Sequence, residues 1–463
     1  MVFSPRPLVT NQNPEGIAEG DRILKQHIGS KRLMKTKHTK ILVLTMALSV
    51  TLPCLAQTAE PVEVRRAEAA FEELPELKAS EILKPELLKG PHYVVRDPVP
   101  TASGMNQFTI DSDFGLFEAD GNEMLLQRLK EIDAIARLRE VSRSDEFKRS
   151  LVAAAKSPLN SAKNIAKDPA QAISNVPKGI MKFLGRAKDT VKNVGKGSGE
   201  GEGEGEGNRL KDVIGYSDKK TKIALQMGID PYTTNTVLQK ELDDVAWASW
   251  AGGFTFSVAT SPISGPIGAA LTVTNLNSTV EQLLSEKSPS ELEQINRATF
   301  RVMGASASDI ERILRGGAFT PTQSTTFAVN LKALKGVANR GAFVKVAAQK
   351  TTTEADALFC VHTAALMNQI HEKTPIDRIV MLGDFPICVA KDGAVVVALQ
   401  WDYAAWTAGA AGFTSDVEKL AAQSGENKKL LVALSGQVSP RLRQELENRG
   451  FMVQDRLVPG PLK

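Results

Sequence analysis

The sequence predicts an α+β protein, mostly helical. It has a small antiparallel β-meander near the mature N-terminus, a helical middle with an apolar hairpin, and a C-terminal α/β unit. Three observations predict it. Short β-prone runs separated by turn residues crowd residues 92–120. From residue 122 apolar residues recur at helical spacing. From residue 375 strand-like runs alternate with capped helical segments. Of the 463 residues, 42% are hydrophobic and 24% charged, so the chain has enough apolar residues for folded cores and is not disordered throughout.

Residues 1–56 read as a leader. Lys35, Lys37 and Lys40 precede an uncharged apolar run, residues 41–52, and Pro53 then breaks any helix. Cys54 and Ala56 supply the small residues of a cleavage site. This is a secretory signal peptide in form, with Met34 as the expected true start and Gln57 as the mature N-terminus. Lipid attachment at Cys54 is the alternative, although Pro53 sits where a small residue is preferred. The run is shorter than the roughly 20 residues that span a bilayer.

Residues 57–121 are expected to hold a mobile arm with one or two short helices over 57–90, then the meander, with strands at 93–95, 107–110 and 114–117. Residues 122–196 are expected to be amphipathic helices. Leu125, Leu129, Ile132 and Ala136 form one stripe, and Ser144 caps a second helix. Residues 150–196 then carry nine Lys and Arg against Asp168 and Asp189. Ile180, Phe183 and Leu184 share a helical face flanked by Lys178, Lys182 and Arg186. That pattern suits a membrane surface: the apolar face enters the acyl boundary and the cations meet anionic headgroups. An ordinary helix with a solvated basic face is the alternative. Residues 197–207, alternating Gly and Glu, read as a flexible linker.

Residues 208–374 read as a helical domain. Positions 245–280 are uncharged, and Pro262 and Pro266 divide them into halves too short to span a membrane. A helical hairpin results, either buried in the core or inserted into a membrane. Capping boxes are expected at Ser288 and Ser308, and a helix over 353–372. In the α/β unit, 375–463, Lys391-Asp392-Gly393 reads as a hairpin turn. Ser415 reads as a cap, and Ser439-Pro440 starts a helix that ends before Gly450.

Eight of the 57 Lys and Arg, but only three of the 53 acids, fall in the first 56 residues. The rest is close to neutral, which argues against nucleic acid as a partner. The histidines after the leader are His92, His362 and His371. His362 and His371, nine apart on one predicted helix, face opposite ways and cannot share a metal. Phosphate-loop and nucleophile-elbow motifs are missing too, so no catalytic residue, metal or cofactor is predicted. Asp111, Asp113 and Asp120 do not follow calcium-loop spacing. Export makes Cys360 and Cys388 a candidate disulfide, worth roughly 3–4 kcal/mol in the chain-entropy model; two buried thiols are the alternative.

These readings lead to one expectation and two rivals. The expectation is an exported protein of the periplasm or cell exterior, membrane-associated and non-enzymatic. Its partner would be an anionic membrane surface or another envelope protein. One rival is a hydrolase-like enzyme using Asp377, Asp384, Asp402 and His371 of the C-terminal region. The other is a membrane-active effector that inserts residues 245–280.

Overall fold

The computed structural model describes residues 70–156, 204–257, 277–423, 429–457 and 462. The leader, the basic segment at 176–194 and positions 258–276 of the uncharged run lie outside the described residues. The described residues from Phe71 onward form one compact unit. It is mixed α+β, with one sheet at each end of the described chain. Among the described residues, no helix is long and apolar enough to cross a membrane.

The N-terminal sheet is antiparallel. Strands β1 (Glu76–Leu77), β2 (Lys89–Gly90), β3 (Tyr93–Val95), β4 (Val99–Ala102) and β5 (Met105–Ser112) run in the order β1-β4-β5-β3-β2. Strand β6 (Gly115–Asp120) pairs along β5. Asn106, Phe108 and Ile110 of β5 are buried, while Gln107 is exposed, so one face meets the core and the other meets water. The meander is therefore longer than 93–117. The arm before it is also packed. Helices α1 (Ala79–Ile82) and α2 (Pro85–Leu88) bury Ile82, Leu83 and Leu87, which corrects the expectation of a mobile arm for this stretch.

Helix α3 (Asn122–Arg143) is more deeply placed than one apolar stripe implies. Leu125, Leu126, Leu129 and Ile132 pack under the N-terminal sheet. Ala134, Ile135 and Leu138 belong to a second core, built with α4 (Asp145–Lys156), α5 (Glu204–Gln226) and α6 (Thr236–Ala251). Ser144 caps α4 as expected, its hydroxyl accepting from the Phe147 N–H. The helix α5 begins inside the Gly/Glu run, at Glu204, where acidic residues favour a helix N-terminus. The unstructured reading of 204–207 is thereby corrected. The apolar half-hairpin expected over 245–260 stops as helix at Ala251, followed by Gly252 and Gly253. Val245, Ala246 and Ala248 are core residues.

Helices α7 (Ser278–Glu286), α8 (Pro289–Val302), α9 (Ala307–Arg315), α10 (Pro321–Ala333), α11 (Arg340–Lys350) and α12 (Glu354–Lys373) follow. The Ser288 capping box forms. The cap expected at Ser308 falls instead on Ser306, whose hydroxyl accepts from the Asp309 N–H. The C-terminal sheet is ordered β13-β11-β9-β8-β7, from β7 (Ile376–Leu382), β8 (Phe385–Ala390), β9 (Val395–Leu399), β11 (Leu430–Leu434) and β13 (Phe451–Gln454), and β10 (Tyr403–Ala404) pairs with β12 (Gln437–Val438) in a separate two-stranded parallel sheet. β7, β8 and β9 are antiparallel neighbours; β9, β11 and β13 are parallel. The crossovers are α13 (Ala408–Gln423) and α14 (Pro440–Asn448). Ser415 lies inside α13 and caps nothing. Every residue of β8 and β9 is buried, as expected of a sheet covered on both faces. One core runs from Phe300 to Phe451, so the boundary expected at 374/375 divides no core.

Candidate functional site

The strongest chemical features are two buried polar junctions. The first is built where β9 ends. Trp401 and Asp402 meet the turn between β4 and β5, where Gly104 has φ +83°. The Gly104 carbonyl accepts from the Asp402 and Tyr403 N–H groups. The Trp401 ring lies where a Cβ on Gly104 would stand 2.6 Å from it, so a side chain there has no room. Asp402 itself is buried. Its Oδ2 accepts from the Asn106 N–H at 3.0 Å and the Asn122 N–H at 2.9 Å, and its Oδ1 accepts from Gln400 Nε2 at 3.2 Å.

Asn122 is the first residue of α3, and the residue before it, Gly121, has no side chain to act as cap. Asp402 supplies that acceptor from 280 positions further along the chain. Burial pushes its carboxyl up to about 7. The two backbone N–H groups pull the other way, and the Glu123 carboxylate adds to the rise. Glu123 in turn stands 3.9 Å from His362 Nε2. Two buried oxygens beside this carboxylate, Asn106 Oδ1 and Gln400 Oε1, have no hydrogen-bond partner in the structure.

The second junction joins α3, the loop 227–235, α10 and α12. Arg128 donates to Glu131 at 2.8 Å and to Glu354 at 2.8 Å. Glu131 also accepts from Asn235 Nδ2, Gln127 Nε2 and the Thr233 hydroxyl. Asp230, partly buried nearby, accepts from the Thr322 hydroxyl and the Tyr232 N–H. Burial pushes it up to about 7 against those bonds, and the Glu131 and Glu354 carboxylates reinforce the rise. Chemically, both junctions hold carboxylates whose oxygens are engaged by donors from distant segments, an arrangement that fastens the fold.

The remaining candidates are dispersed. Asp384 sits in the turn between β7 and β8 and pairs with Lys350 at 3.0 Å. His371, at the end of α12, accepts from the Ile376 N–H at the start of β7. Asp377 pairs with Arg378. β7 separates His371 from Asp384, and Asp402 belongs to the first junction, so the four groups form no common site. His92 pairs with Asp113 at 2.8 Å, and Asp111 pairs with Arg96. Among the described residues no group of three or more His, Cys, Asp or Glu is arranged to hold a metal ion.

Cys360 on α12 and Cys388 on β8 are free thiols, which corrects the expected bridge. Each is enclosed by the core, and burial pushes both up to about 12, leaving neither as a thiolate at neutral pH. Cys360 has the Thr351 hydroxyl at 3.7 Å. The residues expected at a membrane surface, Lys178, Ile180, Lys182, Phe183, Leu184 and Arg186, lie outside the described residues. Sequence reasoning missed both junctions. Asp402 carried no local signal, because its partners are 280 and 296 positions away.

No family model matches this chain, and no curated protein or solved structure shows significant similarity to it.

Proposed function

We propose that this is an exported protein that binds the anionic surface of a membrane without spanning it. The observation that carries the reading is the local charge pattern. From residue 57 on, residues 150–196 hold nine cations against two acids while the remainder holds 40 cations against 48 acids, and Ile180, Phe183 and Leu184 lie at helical spacing among the cations. The leader at 35–56 supports placement outside the cytosol. Support also comes from the buried junctions, where Asp402 and Glu131 are held by donors from distant segments. The engagement of Asp402 favours a structural role for one of the groups that an enzyme reading would use.

The test is co-sedimentation of the chain from Gln57, which keeps the whole compact unit, with phosphatidylglycerol and phosphatidylcholine vesicles. Binding to the anionic vesicles alone is expected. The triple variant K178E/K182E/R186E is expected to bind at least about 100-fold more weakly, at roughly 1 kcal/mol per headgroup contact. Equal binding to both vesicle types, or a triple variant that binds like the wild type, overturns the reading.

A further inference from the structure

Strand β6 pairs with β5 alone, which leaves its other edge open among the described residues. The Gly121 N–H donates to the Asn106 carbonyl at 2.8 Å and so fixes the parity of the ladder. Phe117 and Ala119 face Ile110 and Phe108 with their N–H and C=O groups, and Leu116, Glu118 and Asp120 turn theirs outward. The other sheet edges are occupied or short. On β7 the Ala338 N–H donates to the Asp377 carbonyl at 2.8 Å, and Asn339 Nδ2 donates to the Ile379 carbonyl at 2.8 Å. On β13 Arg443 Nη1 donates to the Val453 carbonyl at 3.4 Å. Strands β1 and β2 have two residues each.

The side chains along the open edge form one row. Leu116 is 56% exposed, and Glu118 and Asp120 follow it, exposed, at every second position. The same face carries Val94, half-buried across Asp111 from Leu116. Cations of this face are engaged or distant. Arg96 pairs with Asp111, and Lys89 on β2 is separated from β6 by β3 and β5. Among the described residues no cation pairs with Glu118 or Asp120.

Charge decides what can sit there. A second copy of β6, antiparallel about Glu118, would set that carboxylate against itself and Asp120 against Leu116. Anionic lipid is repelled by the same acids. The acids thus guard the edge against its own kind, and a basic strand gains from them. We infer that the open edge of β6 is a docking site for an extended segment of another protein. That segment would add one more antiparallel strand, with Lys or Arg opposite Asp120 and Glu118 and an apolar residue opposite Leu116. Main-chain bonds along the edge hold it, and the alternate side chains select its sequence. The site belongs to the folded sheet and does not depend on the membrane-binding reading.

The experiment titrates the chain from Gln57 into a fluorescent peptide, Thr-Lys-Thr-Lys-Thr-Leu-Thr, and follows anisotropy. Binding is expected, and the same peptide with Glu for Lys should bind at least about tenfold more weakly. N-methylation of the Lys and Leu amides, whose N–H groups face β6, should also cost about tenfold or more. N-methylation of the Thr amides, which face solvent, should cost less than about twofold. The E118K/D120K variant should lose about tenfold with an unchanged circular dichroism melt, because both side chains are surface groups. No binding by the wild type, an equal response to the two methylations, or wild-type affinity in E118K/D120K overturns the site. Two results assign the edge to a different occupant and overturn the inference as well. One is much tighter peptide binding by K178E/K182E/R186E, which would place the chain's own basic segment there. The other is a dimer in solution that Leu116→Pro dissolves, since that substitution removes an outward N–H and no bond to β5.

Discussion

The two sheets of this protein solve burial differently. The N-terminal sheet wets one face: Gln107 of β5 is exposed between buried Asn106 and Phe108. The C-terminal sheet is dry on both faces, and β8 and β9 are buried at every position. One substitution therefore means different things in each. Tolerance in the N-terminal sheet follows a period of two, whereas in the C-terminal sheet it vanishes altogether.

The largest effect tests that contrast directly. Val396→Asp buries a charge between two covered faces and is expected to cost more than about 4 kcal/mol, removing the folded protein from the soluble fraction. Gln107→Lys, on the wet face opposite Asp120, should stay within about 0.5 kcal/mol in chemical denaturation. If the two cost the same, the distinction between the sheets fails.

Next in size is the ionic junction that sits between the cores. Arg128→Met keeps the apolar stem and leaves Glu131 and Glu354 without their shared cation. The loss should be about 3–5 kcal/mol, the usual result of breaking a buried pair from one side. Adding Glu131→Gln to Arg128→Met should recover part of it, because a neutral amide still accepts from Asn235 through its oxygen and can donate its NH2 to the Thr233 hydroxyl oxygen. No recovery would mean that charge is not what costs the single variant its stability.

How far the sequence could be read follows from the range of the interactions. Elements fixed by neighbours a few residues away were legible: the Ser144, Ser288 and Ser439 caps, the hairpin at Lys391-Asp392-Gly393, and the strand–helix–strand order after 429. The Ser308 and Ser415 patterns misled for a physical reason: capping chemistry in sequence is only an offer, accepted at Ser306 and overridden inside α13. The mobile-arm reading overlooked what α1 and α2 pack against, since their apolar positions are too few to show a period. The junctions were illegible because Asp402 meets Asn106 and Asn122 only when segments 296 and 280 positions apart come together; Asn122 reads in sequence as the cap of α3, but Gly121 takes that place. Of the proposed membrane site, the pattern around Phe183 is visible in the sequence, and its residues lie outside the described ones.

Asp402 offers the finest comparison, because it links the two sheets from a buried position near the Glu123 carboxylate. Asp402→Ala orphans the Asn106 and Asn122 N–H groups and should cost about 2–4 kcal/mol at pH 5, a cost that shrinks as pH rises because the variant lacks the Asp402 titration. Asp402→Asn keeps an acceptor for both. Its new amide donor can serve Gln400 Oε1 once that side chain turns, so it should fall within about 1 kcal/mol of wild type at pH 7. The informative quantity is the pH dependence. A carboxyl held near 7 in the fold, against an ordinary value of 3.8, binds its proton more tightly when folded. Stability then falls as pH rises from about 4 to 7 and levels off above. Between pH 5 and pH 8 the Asp402 share of that fall is about 2–3 kcal/mol. Asp230, held near the same value, contributes a parallel fall that the variant retains. Urea denaturation of wild type and Asp402→Asn at the two pH values isolates the difference. Equal slopes in both proteins would mean that Asp402 stays ionised in the fold, with the N-terminal dipole of α3 and two backbone donors outweighing burial.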